Sequence, residues 1–145
     1  MPYESHREAQ IISRCWSVYT ILTNVFTPPD TFHLGFPSLV ETAIISSDLQ
    51  INLPVEKGFI LLLREEYEFT MHNLVINSYS YNLIDSNGNS ILRCDCLPHH
   101  QTDYKRHKLT HPPHHLHDKL GRICSFTGEL KDFIDLVKNV IDPQG

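Results

Sequence analysis

The chain has 145 residues, of which 41% are hydrophobic, and it carries a formal net charge of −5. This length suits one compact domain spanning residues 1–145, and the apolar content is too high for an intrinsically disordered protein. The longest dense apolar run, GFILLL at 58–63, is far too short to cross a bilayer. The first ten residues lack the apolar stretch of a signal peptide. We therefore expect a cytoplasmic protein without a membrane partner.

A leading helix is predicted over residues 3–26, because apolar residues recur there at the three-to-four spacing of a buried helix face. The sequence TPPD at 27–30 ends it, since proline lacks the amide donor that a helix needs. Residues 28–37 are predicted to form a loop.

The middle of the chain is predicted to form a sheet over residues 39–97. Four of its segments are rich in β-branched and aromatic residues, namely 39–45, 49–55, 59–69 and 74–84. A fifth strand, 91–97, follows the sequence DSNGNS, in which Asn-Gly is the strongest short-range signal for a hairpin. These segments predict an antiparallel arrangement.

A last helix is predicted over residues 127–141, where an apolar stripe at helical spacing is typical of core packing. The fold class is therefore α+β. We expect an antiparallel sheet of about four or five strands, flanked by an N-terminal and a C-terminal helix. A segment rich in histidine and proline, residues 98–122, follows the last hairpin and folds back across the sheet.

Histidine dominates the segment 98–122, which holds seven of the ten histidines of the chain. The sequence Pro-His-His occurs there twice, at 98–100 and at 113–115. Residues 93–122 also hold six lysines and arginines against three acids, within a chain that is acidic as a whole. A basic segment of this kind is typical of a polyanion site or of a surface that faces an acidic partner.

The residue types of this segment are compatible with three functions. A zinc site is one, because imidazoles and thiols are zinc ligands, although no spacing here matches a standard zinc signature. Cys94 and Cys96 straddle a single residue, so we expect reduced, partly buried thiols. The other two possibilities for the segment are an acid–base site and a solvated loop without a chemical function. The residues alone leave all three open.

Acid–base chemistry on a phosphodiester requires a base, an acid and a cation, and two histidines with an arginine or lysine supply them without a metal. The substrate of such a site is RNA, because DNA lacks the 2′-hydroxyl that attacks the phosphorus. Cations and one aromatic ring that can stack on a base lie near the histidines, namely Arg93, Lys105, Arg106, Lys108 and Tyr104.

Two motifs in the C-terminal half carry a family resemblance. NLIDSNGNSILRCDCLPHHQ, followed by KLTHPPHHLHD, resembles the TumE-type toxin components of prokaryotic toxin–antitoxin pairs. That family has a hairpin leading into R-Y-D-N-x-P-H-H, then P-H-H-x-H and a final helix, which the helix at 127–141 matches in position. The chain departs from the pattern at Cys94 and Cys96, where the family often has tyrosine and asparagine.

The resemblance implies a growth-inhibiting toxin that is neutralised by a helix-turn-helix antitoxin. A metal-independent ribonuclease fits both this context and the acid–base hypothesis. The predicted catalytic residues are His99, His100, His114, His115, His117 and Asp95, the last of which would orient a histidine. Arg93 is predicted to hold the phosphate. The other predicted RNA-binding residues are Tyr104, Lys105, Arg106 and Lys108.

Two further functions are alternatives to the ribonuclease. One is a non-catalytic regulator that binds nucleic acid or a protein partner. The other is a hydrolase with zinc held by the clustered histidines, whereas the ribonuclease needs no cofactor. Arg93 and Asp95 share one face of a strand, so a simple ion pair is the alternative to a catalytic role for these two residues.

Overall fold

The computed structural model describes residues 2–26, 35–98 and 100–143, with the backbone but not the side chains of residues 2–5. Three α-helices and six strands lie within these ranges. In chain order they are α1 (Pro2–Val25), α2 (Phe36–Ser46), β1 (Asp48–Pro54), β2 (Ile60–Thr70), β3 (Asn73–Ile84), β4 (Ser90–Asp95), β5 (His115–His117), β6 (Ile123–Ser125) and α3 (Leu130–Ile141). A 3₁₀ turn, Glu56–Gly58, separates β1 from β2.

The six strands form one antiparallel sheet in which every strand pairs with the next one along the chain. The predicted α+β class, with a leading and a closing helix around an antiparallel sheet, is therefore confirmed. The strand count is six rather than four or five, because the histidine segment supplies β5 and the residues after it supply β6. The sheet thus extends well beyond the predicted end at residue 97.

The prediction of a strand over 39–45 was wrong, and this segment belongs to helix α2. Leu39 and Ala43 are its buried residues, and their spacing of four places them on one helix face, against the sheet and α1. Pro37 lies in the first turn, where its missing amide hydrogen costs nothing. Ser47 adopts a left-handed conformation with φ 55° and closes the helix by donating its amide to Ala43 O. The sheet accordingly begins at Asp48.

One face of the sheet is covered by helices and the other is open. The covered face carries the alternate apolar residues of the strands, such as Leu61 and Leu83, and packs against the buried stripe of α3. The open face carries the intervening residues, among them Gln50, Arg64 and Ser80, which are exposed. Because side chains alternate along a strand, the register decides which residues of β4 and β5 reach the open face.

The covered face contains one buried charge, Glu65, whose side chain is 1% exposed. Arg14 of α1 donates to both of its carboxylate oxygens, at 2.9 and 2.5 Å. The hydroxyls of Tyr67 and Tyr81 donate to the same carboxylate at 2.9 and 2.5 Å. Burial and the negative charge of Glu65 raise the pKa of both tyrosines, so the hydroxyls stay protonated and keep donating. This network ties α1 to β2 and β3.

Three turns of the C-terminal half have the same construction, and they begin at Asp85, Asp103 and Asp118. In each turn the aspartate carboxylate accepts the amides two and four residues later, at 2.8–2.9 Å. The backbones of the first and fifth residues also pair. The fourth residue has positive φ and is glycine in two turns, but Arg106 in the middle one. The predicted hairpin at DSNGNS, between β3 and β4, is the first of these turns.

Candidate functional site

Four predicted site residues lie side by side on the open face, where β4 and β5 pair. Arg93 is opposite His117, and Asp95 is opposite His115. Directly opposed residues of an antiparallel pair point to the same side of the sheet, so all four side chains share one surface. The intervening residues Cys94 and Leu116 pair on the covered side and are buried.

Three imidazoles, those of His100, His115 and His117, converge on this surface, and we call them the histidine cluster. Their ring centroids are 4.9 Å apart for His100 and His115, 5.6 Å for His100 and His117, and 5.0 Å for His115 and His117. One nitrogen from each ring lies within 4.8 Å of the others. His100 comes from the first Pro-His-His sequence and His115 from the second, so the structure brings the two motifs together.

His115 is the most enclosed member of the cluster, with only 2% of its side chain exposed. Its Nδ1 lies 3.0 Å from the carbonyl oxygen of Pro113, and its Nε2 lies 3.1 Å from Asp95 Oδ1. Asp95 is fixed in turn by the amide of Leu97, which donates to Oδ1 at 3.1 Å. With both ring nitrogens engaged and almost no exposed surface, His115 is placed to orient its neighbours rather than to touch a substrate.

His117 is half-buried and open to solvent on one side. Arg93 Nη2 donates to its Nε2 at 3.1 Å, so this nitrogen carries a lone pair and the proton of the neutral ring sits on Nδ1. Burial, followed by the nearby charge of Arg93, lowers the pKa of His117 and favours the neutral ring. Arg93 itself is 46% exposed, and its Nε lies 3.9 Å from Asp95 Oδ2. The arginine is therefore shared between His117 and Asp95.

His114 faces the opposite side of the sheet from its neighbour His115. Its Nδ1 lies 2.8 Å from the hydroxyl of Tyr79, and the two rings stack with centroids 5.6 Å apart. Burial and the neighbouring His111 lower the pKa of His114. The ring also packs against Gly128, where a Cβ atom would come within 2.8 Å of it. The structure does not bring His114 into the cluster, and the predicted His99 lies outside the described residues.

The remaining predicted RNA-binding residues lie together on an exposed hairpin around the Asp103 turn, at the far edge of the sheet. Tyr104 donates its amide to the carbonyl of Ile123 in β6 at 2.8 Å, which attaches this hairpin to the edge strand. Lys105, Arg106 and Lys108 are exposed. The guanidinium of Arg122 lies 4.7 Å from the centre of the Tyr104 ring. Arg122 was not among the predicted site residues, because its place as the fifth residue of the Asp118 turn gave no local signal.

Two hollows adjoin the cluster from different sides. One, of about 460 Å³, is lined by His100, Lys108 and the prolines of both Pro-His-His motifs. The other, of about 360 Å³, is lined by Arg93, Asp95 and open-face residues that include Arg64. A ligand can therefore reach His100 from one side and Arg93 from the other.

The arrangement offers two kinds of chemistry. Neutral His117, the partly exposed His100 and the cation of Arg93 are suited to moving protons on a phosphodiester. The same three converging imidazoles are also suited to holding a transition-metal ion.

Comparison with known proteins identifies one family. The model of the family described as Toxin TumE matches residues 37–142, which cover most of the chain and all of the site. Neither the curated proteins nor the solved structures give a match. None of the helices in the described part of the chain is long and apolar enough to cross a membrane.

Proposed function

This chain belongs to the Toxin TumE family, whose members are toxins of toxin–antitoxin systems, and on that basis we propose that it inhibits growth by cleaving RNA without a metal. One observation carries the proposal. Two half-buried imidazoles, His100 and His117, stand within a few ångströms of each other beside the exposed guanidinium of Arg93. This is the set of groups that transesterification of RNA requires.

His117 is the proposed base, because its Nε2 carries the lone pair and the lowered pKa favours the neutral ring. In the free protein this lone pair accepts a hydrogen bond from Arg93. A phosphate group would draw the exposed guanidinium towards its own oxygens and release the lone pair. His117 would then remove the proton of the 2′-hydroxyl, and the 2′-oxygen would attack the phosphorus.

His100 is the proposed acid that protonates the departing 5′-oxygen. The products are a 2′,3′-cyclic phosphate on one fragment and a 5′-hydroxyl on the other, so the proton taken by one histidine is balanced by the proton given by the other. Asp95 and His115 act as positioning residues in this scheme, and Arg93 stabilises the charge that develops on the phosphate. The predicted proton-transfer roles of His99 and His114 are not part of it.

RNA would reach the site along the hairpin around the Asp103 turn. Its lysines and Arg106 provide positive charge next to β6, and Tyr104 provides a face on which a base can stack. Contacts of this kind track a strand rather than select a sequence. We expect cytoplasmic RNA to be the substrate.

The proposal is tested with the purified chain, labelled RNA and an excess of EDTA. We expect RNA to be cut to 2′,3′-cyclic phosphate ends in the presence of chelator, and the matching DNA to stay intact. His117→Ala and His100→Ala should each slow cleavage by about 10² to 10⁴-fold. His111→Ala is the matched control, since His111 is an exposed histidine outside the cluster and should leave the rate unchanged. Equal rates in all four proteins would refute the assignment.

The second candidate is a zinc hydrolase, and the convergence of three imidazoles favours it. The same assay separates the two functions, because a zinc hydrolase loses its activity in EDTA and regains it when zinc is restored. A non-catalytic regulator would bind RNA or a protein partner and leave RNA intact under both conditions.

An antitoxin partner is implied by the family, and we propose that it is of the helix-turn-helix type. Its neutralising effect would come from covering the cluster or the basic hairpin, which a complementary acidic surface can do. Expression of the chain alone should slow growth, while co-expression of the protein encoded beside it should restore growth. The relief of toxicity by His117→Ala without any antitoxin is the control that links growth inhibition to the cluster.

A further inference from the structure

We propose that the histidine cluster binds one Zn²⁺ ion, with Asp95 as the fourth ligand, and that the bound ion inhibits the cleavage of RNA. The inhibitory effect rests on the ribonuclease function proposed above. The zinc site itself does not, because it follows from the convergence of three imidazoles and the contact of Asp95 with one of them, and it can be measured without any substrate.

The spacing of the three imidazoles is close to that of a zinc site. Zinc bonds to histidine nitrogen at about 2.0–2.1 Å in a tetrahedron, which places the ligand atoms about 3.3 Å apart. The nitrogens of the cluster lie within 4.8 Å of one another. Closing the difference requires shifts of roughly 1 Å, which small side-chain rotations supply. His100 and His117 are half-buried, whereas His115 is almost fully buried.

The surroundings of His115 provide the second argument. Its Nδ1 faces the carbonyl oxygen of Pro113, which only accepts hydrogen bonds, so Nδ1 carries a proton. Its Nε2 faces a carboxylate oxygen of Asp95 at 3.1 Å. These two atoms can share either a proton or a zinc ion. The distance also matches the separation of two ligands on one zinc ion.

The outer contacts are those that a zinc-binding histidine needs. A ligand histidine normally donates its second ring nitrogen to a carbonyl or carboxylate, which fixes the ring and its tautomer. Pro113 supplies that acceptor for His115, and the amide of Leu97 holds Asp95. The positive charge of Arg93, which contacts His117, disfavours the binding of a metal ion at this residue. Arg93 can move to the other oxygen of Asp95, which lies 3.9 Å from its Nε.

Inhibition follows from the number of ligands. A catalytic zinc keeps one open position for water, whereas four protein ligands close the tetrahedron. Three imidazoles and Asp95 fill every position. The ion then occupies the His117 lone pair that would accept a proton and the His100 nitrogen that would carry one. A closed zinc ion would therefore block the acid–base chemistry at the same residues.

The binding test uses isothermal titration of the metal-stripped chain with zinc chloride alone. The expected result is one ion per chain for the wild type, with more than about tenfold weaker binding in His100→Ala and His117→Ala. His107→Ala and His111→Ala are the controls, because both remove exposed histidines outside the cluster. A circular dichroism spectrum of each variant shows that it is folded. Equal affinity in all five proteins, or more than one equivalent ion per chain, would overturn the zinc site.

The second test measures the rate of RNA cleavage by the metal-stripped chain as zinc is added. Inhibition with a midpoint equal to the measured dissociation constant for zinc, and recovery of cleavage when EDTA is added, supports the proposal. Activation by zinc overturns the inhibitory role and supports the zinc hydrolase. If zinc binds as expected but the metal-free chain leaves RNA intact, the ribonuclease fails while the zinc site stands.

Discussion

Replacing Glu65 with glutamine tests how much of the stability depends on one buried carboxylate. Glu65 accepts four hydrogen bonds, two from Arg14 and one each from Tyr67 and Tyr81. Glutamine keeps the shape, but it removes the charge that pairs with Arg14 and replaces one acceptor oxygen with a donor group. Breaking a buried pair in this way costs about 3–5 kcal/mol, a large part of the ordinary stability of a domain.

The change is measured by urea unfolding. With a slope of about 1.5 kcal/mol per molar, the midpoint of Glu65→Gln should fall by about 2–3 M relative to the wild type. Glu68→Gln is the matched control, since Glu68 is an exposed glutamate on the same strand and should change the free energy of unfolding by less than about 0.5 kcal/mol.

A double-mutant cycle with Arg14→Met completes the test. Because the two residues share one network, the double variant should be more stable than the sum of the single losses predicts, by about 1 kcal/mol or more. Additive losses, or a loss in Glu65→Gln as small as that in the control, would show that the network does not support the fold as described.

Three further predictions concern backbone geometry and ionisation. Gly121→Ala should lower the free energy of unfolding by about 1 kcal/mol, measured in urea, because alanine is strained at the positive φ of this position. Arg106→Gly should not lower the free energy of unfolding, since the turn at Asp103 already has a non-glycine residue at positive φ. Gly128→Ala should destabilise by about 1–3 kcal/mol and shift the NMR signals of His114, because the new methyl group would overlap the ring. Burial raises the pKa of Cys15 from 9.0 to about 11, so the folded state favours the protonated thiol. This preference stabilises the fold below pH 9, and the stabilisation is lost as pH rises from about 9 through 11. Urea unfolding across that range should show a shallower fall with pH in Cys15→Ala than in the wild type.

Secondary-structure elements whose conformation depends on local sequence were predictable. The Asn87-Gly88 hairpin follows from glycine at the position with positive φ, and α3 follows from an apolar stripe that is buried as expected. The segment 39–45 was misassigned because its β-branched and apolar residues were taken as strand propensity. The spacing of Leu39, Ala43 and Val40, Ile44 is helical, and the contacts with α1 and β1 confirm a helix.

Strands β5 and β6 were missed because each has three residues and forms through pairing with its neighbour rather than through propensity. The equivalent turns at Asp103 and Asp118 were also missed, although Gly121 marks the position with positive φ in the second. The turn at Asp103 has Arg106 where glycine normally marks the position with positive φ.

His100 of the first Pro-His-His motif and His115 of the second meet in the structure. The division of roles among the histidines required the register of β5. His115 and His117 are two residues apart on the strand, so they share one face and join the cluster, while His114 lies directly before β5 and packs against Tyr79. The sequence gives the spacing of these histidines but not the face that each one reaches.

The order of the strands also determines at which point of its synthesis the chain can assemble the site. Each strand pairs with its predecessor, so a chain emerging from the ribosome can add strands to the sheet one at a time. Arg93 and Asp95 are in place once β4 has paired, yet they lack His115 and His117 until β5 is added. A nascent chain that ends before residue 115 therefore has most of the sheet but lacks two of the three imidazoles of the histidine cluster. On the proposed function, cleavage of RNA would begin only after β5 has paired, and this is the earliest moment at which an antitoxin would be needed.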